Sequence, residues 1–177
     1  MLGSAQVCRQ YSAGVGALTM VLEDDLWMMV QRQHPESLYV CGKTAESIAD
    51  RWQKSCPQPV AVTRQNPSEI NSDWAPTGVH RLALITDTLE NLSEAEGALF
   101  LGQFRNFGAT SLAVAIIDGT PSWDFNIFIQ LGFQRFRHYE MERMSLYTYD
   151  IETYNRKRDW NSPEHWANPE NWGKYRW

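Results

Sequence analysis

The stretch Ser37-Leu38-Tyr39-Val40-Cys41-Gly42-Lys43-Thr44-Ala45, continuing to Ile48, Ala49 and Trp52, decides the fold. Its first part is apolar and partly β-branched or aromatic, and Gly42 closes it, which predicts a buried strand ending in a turn. Ala45, Ile48, Ala49 and Trp52 then recur at i, i+3, i+4 and i+7, so they share one face of a helix. Thr44 is placed to cap its first turn, and Pro57 lies beyond its end. Strand, tight turn and helix therefore follow one another directly.

The same alternation continues along the chain. Val60-Ala61-Val62 predicts a second short strand leading into Thr63 and Arg64, and the polar stretch to His80, with Pro67, Pro76 and Gly78, reads as loop. Leu82–Thr86 predicts a third strand running into Asp87. Ser93 with Glu96 three residues on makes a capping box for a helix whose apolar stripe is Phe100, Phe104 and Phe107, stopped by Gly108. Ser111–Ile117 is a continuous apolar strand of the kind buried on both faces of a parallel sheet. Upstream, Leu18, Leu22, Leu26 and Met29 share one face of an N-terminal helix, with Glu23, Asp24 and Asp25 on the other side. Downstream, Phe125, Phe128 and Ile129 suit a helix closed by Gly132. Phe133–Glu140 and Arg143–Ile151 then read as a hairpin, with Tyr147, Tyr149 and Ile151 on one side of its second strand and Leu146 and Thr148 on the other.

Strands alternating with helices predict an α/β class, a doubly wound and mostly parallel sheet finished by a C-terminal antiparallel hairpin. The expected organisation is one domain over residues 1–177, with a helical extension at 1–34, a core at 35–151 and a Trp-rich wrap at 152–177.

Two segments carry a family resemblance. Arg81–Ile117, through Leu84-Ile85-Thr86-Asp87 and Leu89-Glu90-Asn91-Leu92, and Gln130–Asp150 resemble the fourth strand and following helix, and the terminal hairpin, of the class I S-adenosylmethionine-dependent methyltransferases. The resemblance covers residues 35–150 and implies their Rossmann-like fold. The cofactor motifs are degenerate. Where the family has a glycine-rich loop, this chain has Cys41-Gly42-Lys43-Thr44. Where the family has a ribose-binding acid at the end of its second strand, Thr63-Arg64 stands, and Arg cannot accept a hydrogen bond. The family's third strand has no counterpart except the loop 65–80. The segment Asp159–Trp172 resembles the C-terminus of an uncharacterised family of small bacterial proteins, which implies no function.

In open α/β sheets ligands sit at the carboxyl ends of the strands. The candidate pocket residues are therefore Gly42, Lys43, Thr63, Arg64, Asp87 and Thr88. Lys43 and Arg64 beside a helix N-terminus would suit a small anion, or else are a solvated lysine and an arginine paired with a surface acid. Asp87 would serve a ligand or cap nearby backbone N–H groups. The departures imply a binding or scaffold protein that keeps the fold without methyltransferase activity and without a cofactor. The alternative is a divergent S-adenosylmethionine-dependent methyltransferase or small-molecule transferase with an altered cofactor loop.

Composition narrows the partners. The chain of 177 residues is 43% hydrophobic and carries a net charge of -5. Residues 1–132 hold 8 Lys/Arg against 14 Asp/Glu, a poor surface for nucleic acid despite the run Arg156-Lys157-Arg158. No stretch reaches the ~18 consecutive apolar residues of a membrane span, and the N-terminus lacks a signal pattern, so a cytoplasmic setting is expected. Cys8, Cys41 and Cys56 form no CxxC pair, and His34, His80, His138 and His165 are far apart, so no metal site is expected. Cys41 before a helix reads as an inert core thiol, with a lowered thiol pKa beside Lys43 as the alternative.

Of eight tryptophans, Trp160, Trp166, Trp172 and Trp177 fall in the last stretch. Ser162-Pro163-Glu164-His165-Trp166 and Asn168-Pro169-Glu170-Asn171-Trp172 each place a capping residue, Pro, then Glu, the start of a helical turn. Trp160, His165, Trp166, Trp172 and Trp177 are expected to fold back as a lid or wrap, or else to dock an unknown protein partner.

Overall fold

A computed structural model describes residues 21–121 and 123–154, with 171 and 174 beyond them. Trp160, His165, Trp166, Trp172 and Trp177, the expected lid or docking residues, lie outside the described residues.

The decisive stretch forms strand β1 (Ser37–Cys41), then helix α2 (Lys43–Ser55), which follows helix α1 over residues 21–33. The remaining elements are β2 (Ala61–Gln65), β3 (His80–Ile85), α3 (Glu94–Gln103), β4 (Ala109–Ile117), α4 (Phe125–Gln130), β5 (Gln134–Tyr139), β6 (Met144–Asp150) and α5 (Ile151–Tyr154). They build one six-stranded sheet in the order β2-β1-β3-β4-β6-β5. β1 pairs in parallel with β2 and β3, and β3 with β4; β6 runs antiparallel to both β4 and β5. This is the doubly wound, mostly parallel sheet with an antiparallel finish. Between β2 and β3 the described chain holds only a 3-10 turn (Pro67–Glu69) and loop, so β2 is the sheet's edge.

Period-two alternation sends each strand's side chains to two separate cores. Leu38, Val40, Leu82, Leu84, Ala113, Ala115 and Leu146 face α1 and α2. Tyr39, Cys41, Ala83, Ile85, Leu112, Val114 and Tyr147 face α3 and α4. The second core is aromatic: Phe104 and Trp74 pack on Tyr39, Phe100 packs on both of them, and Phe128 stacks on Tyr147 with ring centroids 3.9 Å apart. Trp74, from the loop after β2, thus covers this face of the sheet beside β1.

Three local expectations are corrected. Phe107 is 64% exposed, because the chain over Phe104–Gly108 widens into a π-helical turn, which rotates the i+3 position out of the stripe. Asp25 is buried rather than on the solvent side of α1, where it accepts a hydrogen bond from Tyr139 Oη at 2.6 Å and pairs with Arg137 at 2.9 Å. α2 begins before Thr44, so that side chain is no N-cap and the helix start is capped from elsewhere in the chain. The capping box of α3 is present in both directions between Ser93 and Glu96.

His80, at the start of β3, is buried beside the Tyr39 ring, and neither ring nitrogen has a hydrogen-bond partner. Burial disfavours the imidazolium and holds its pKa below the ordinary histidine value. The unfolded chain therefore takes up this proton first, so stability falls as pH drops through about 6.5 and is unaffected by this group above it. In urea titrations at pH 7.5 and pH 5.5, His80→Phe is expected to lose less of its unfolding midpoint on acidification than the native chain; equal losses would contradict this.

Candidate functional site

The carboxyl ends of β1, β2 and β3 meet at one joint. Gly42 turns the chain from β1 into α2 with φ +100°, and a Cβ on it would lie 1.7 Å from the Thr86 carbonyl oxygen. The glycine is therefore demanded by the approach of two backbones as well as by its dihedral. Thr86 N donates to Cys41 O at 2.9 Å, and Thr86 Oγ1 accepts from Ala45 N at 3.1 Å. Asp87, with φ +50°, turns its carboxylate to the same helix start, accepting from Thr44 N and Thr44 Oγ1, both at 3.3 Å. Two residues at the end of β3 thus do the capping that Gly42 cannot.

An open cleft of about 890 Å³ lies over this joint. Gly42, Lys43, Arg64 and Asp87, all singled out from the sequence, line it together. Thr88 does not: it is wholly buried, donating to Thr86 O at 2.7 Å and to Cys41 Sγ at 3.3 Å, because the turn after Asp87 directs it into the core. Thr63 is also absent from the cleft wall. Arg64 pairs with Asp50 at 2.6 Å and donates to Gln53, so its charge is taken up by α2. β2 also runs one residue beyond it, placing Gln65 opposite Cys41 at the strand end. The cleft wall adds Glu46, Glu69 and Glu96, which the sequence reading missed. Gln65 Nε2 donates to Glu69 Oε2 at 3.0 Å, holding that carboxylate beside the end of β2. Glu69 lies four residues past the end of β2 on the 3-10 turn, where neither strand nor helix periodicity marks it in the sequence.

Burial pushes the Cys41 thiol up to about 11, against the lowering effect of the Thr88 hydrogen bond, so this cysteine is an inert core group. Asp118, His138 and Ser145 come together unforeseen, yet they do not make a nucleophile. Ser145 is 1% exposed and donates to Asp118 at 2.8 Å, while Ser145 Oγ and Asp118 Oδ2 both lie at one ring nitrogen, His138 Nδ1, at 3.1 and 3.2 Å. Nucleophilic relay needs the acid and the hydroxyl on opposite nitrogens. These residues clamp the hairpin to the end of β4. Among the described residues no group of three or more His, Cys, Asp or Glu is arranged to hold a metal, and no helix is long and apolar enough to cross a membrane.

The sequence profile of a family of unknown function matches residues 20–177. The chain belongs to DUF6231. No curated protein matches its sequence. Among solved structures, the DUF6231 chain is similar to magnesium protoporphyrin IX methyltransferase from Synechocystis with bound S-adenosylmethionine, at 9% identity and a TM-score of 0.50, over 77% of this chain and 81% of that one. The same enzyme with S-adenosylhomocysteine gives 7% identity and 0.49 over 77% and 84%. The methyltransferase domain of bacterial CtHen1 gives 10% and 0.45 over 76% and 98%. The methyltransferase-like fold resembled in the sequence is the fold of this DUF6231 chain. The expectation of no cofactor is corrected: the Synechocystis enzyme of this fold holds S-adenosylmethionine, and the arginine that argued against such a ligand is occupied by Asp50.

Gly42→Ala is expected to cost at least about 3 kcal/mol, through steric overlap and a strained φ, read as a lower urea midpoint. Gly78→Ala, where nothing lies within 4 Å of the added methyl, should stay within about 0.5 kcal/mol of the native chain. Equal effects would contradict the account of the joint.

Proposed function

We propose that this chain is a divergent S-adenosylmethionine-dependent methyltransferase whose cofactor occupies the cleft over Gly42 and Asp87. The observation that carries this reading is the charge of the cleft wall, where Glu46, Glu69, Asp87 and Glu96 stand against Lys43 and Arg64. With Arg64 held by Asp50, Lys43 is outnumbered by carboxylates, an unfavourable setting for a small anion. A ligand with a sulfonium, an ammonium and one carboxylate complements it: Lys43 and the first turn of α2 suit the carboxylate, and the acidic wall suits the two cations. Glu69 at the end of β2 can accept hydrogen bonds from ribose hydroxyls, a role that Arg64 could not fill. Ile70 and Leu92 give the wall apolar surface for an adenine ring.

When bound, S-adenosylmethionine supplies a methyl group on a positively charged sulfur. The chain's own part is to bind and orient it: Gly42 and Thr86 fix the helix start, and Asp87 stands in the left-handed region at the strand end. Such backbone strain is retained where a position is over-determined by its surroundings and concentrates at functional sites. The alternative role as a binding or scaffold protein rested on missing cofactor contacts, and Glu69 and the occupied Arg64 remove much of that ground.

Calorimetric titration of the full chain with S-adenosylmethionine and S-adenosylhomocysteine should show saturable binding of one equivalent, with a rise in Tm. Glu69→Gln should weaken it about tenfold. Absence of heat and of any Tm shift with both ligands would overturn the proposal.

A further inference from the structure

Asp87 also lines a second, smaller cavity of about 380 Å³. Beside Asp87 and Thr86 at the end of β3, it is walled by Leu22 from α1, Thr44 from α2, Ala115 from β4, Met141 and Met144 from the hairpin, and Glu90 from the 3-10 turn Leu89–Asn91. α1 is fixed over it from below, because Asp25 is buried against the hairpin through Tyr139 Oη and Arg137, and Tyr139 itself contributes to the wall. The cavity is thus held open by packing and hydrogen bonds, with a mostly apolar body.

Its charge is one-sided. Asp87, Glu90 and Glu142 line it, and among the described residues its lining includes no Lys, Arg or His. Asp87 is engaged with Thr44. Glu90 Oε1 accepts the Ile117 N–H at 3.1 Å, whereas its Oε2 is buried and meets no donor among the described residues. A buried carboxylate oxygen left without a donor is costly, roughly 1–3 kcal/mol or more. With carboxylates and apolar side chains around it and no cation among its described lining residues, the cavity favours a ligand that brings a donor, and preferably a positively charged one. Methionine side chains adapt to ligands of varied shape, so Met141 and Met144 suit a compact apolar body beside that head.

We infer that this cavity binds a small ligand with a protonated amine on a compact apolar body, with Glu90 as the carboxylate that receives its N–H. An anion is repelled by the three carboxylates, and a neutral alcohol can donate only one uncharged hydrogen bond. Because Asp87 belongs to both spaces, the amine is the class of methyl acceptor that this cavity would present to the cleft; that clause rests on the proposed function, whereas amine recognition rests on Glu90 and its surroundings.

The test uses the full chain at pH 7 with three probes of similar shape, 2-phenylethylamine, 2-phenylethanol and 3-phenylpropionate, followed by calorimetry and by the ¹³C-methyl NMR signals of Met141 and Met144. The amine should bind and shift both signals, the alcohol should bind about tenfold more weakly, and the carboxylate should not bind. Glu90→Gln keeps an oxygen for the Ile117 N–H and should leave the unfolding midpoint unchanged while weakening the amine about tenfold. Equal binding of all three probes, silence from the amine, or an amine affinity indifferent to Glu90→Gln in a folded variant would overturn the inference. Should that variant fail to fold, the ranking of the three probes on the native chain decides alone. A parallel titration with S-adenosylmethionine separates the two readings: its binding alongside amine silence sinks this inference only, and amine binding without it sinks the proposed function only.

Discussion

The approach of Gly42 to the Thr86 carbonyl is the constraint from which the rest of the site follows. It lets β1 and β3 end side by side, with Thr86 N on Cys41 O, and brings Thr86 Oγ1 and the Asp87 carboxylate onto the backbone N–H groups that open α2. Orphan donors at a helix start need acceptors, and here a neighbouring strand end supplies them for two, Thr44 N and Ala45 N. The helix start, the strained Asp87 and the mouth of β2 are thereby held in one place, and the cleft is the space they leave.

Two cores of unlike character support that joint. On one face α1 and α2 bury aliphatic residues against Leu38, Val40, Leu82, Leu84, Ala113 and Ala115; on the other, α3, α4 and the loop carrying Trp74 bury aromatic rings against Tyr39, Cys41, Ala83, Ile85, Leu112 and Val114. Aromatic packing allows a loop to cover this face of the sheet, since Trp74 alone spans from Tyr39 to Phe100 and Phe104. β2 is the edge of the sheet, where Arg64 and Gln65 can stand half in water.

That edge position explains much of what was and was not legible in the sequence. β1 could be read to the residue and the buried face of α2 with it, because strand, glycine and amphipathic period agree there, although the cap of α2 could not. The capping box at Ser93 and the alternation of Leu146, Tyr147 and Tyr149 were equally plain. β2 was read short, since polar residues on an edge strand carry no apolar signal, and the misplaced strand end led to Arg64 being counted against a cofactor. Thr88 and Phe107 were misplaced by one turn each, at a tight corner and a π-helical widening that local periodicity does not encode. Asp25 was assigned to water because its partners, Tyr139 and Arg137, come from the far end of the chain. Glu69 and Glu90 belong to short 3-10 turns, and only the fold brings them to the two cavities.

Taken together, the cleft and the cavity form a pair of acidic spaces of about 890 and 380 Å³ joined at Asp87, the first proposed for S-adenosylmethionine and the second for a small amine. Backbone ¹H–¹⁵N NMR of the full chain on addition of S-adenosylmethionine tests the centre of this account most directly. The account predicts shifts concentrated at Gly42–Ala45, at Asn66–Ile70 and at Asp87, with the amides of β5 and β6 little moved. Shifts gathered elsewhere, or none at saturating ligand, would contradict it.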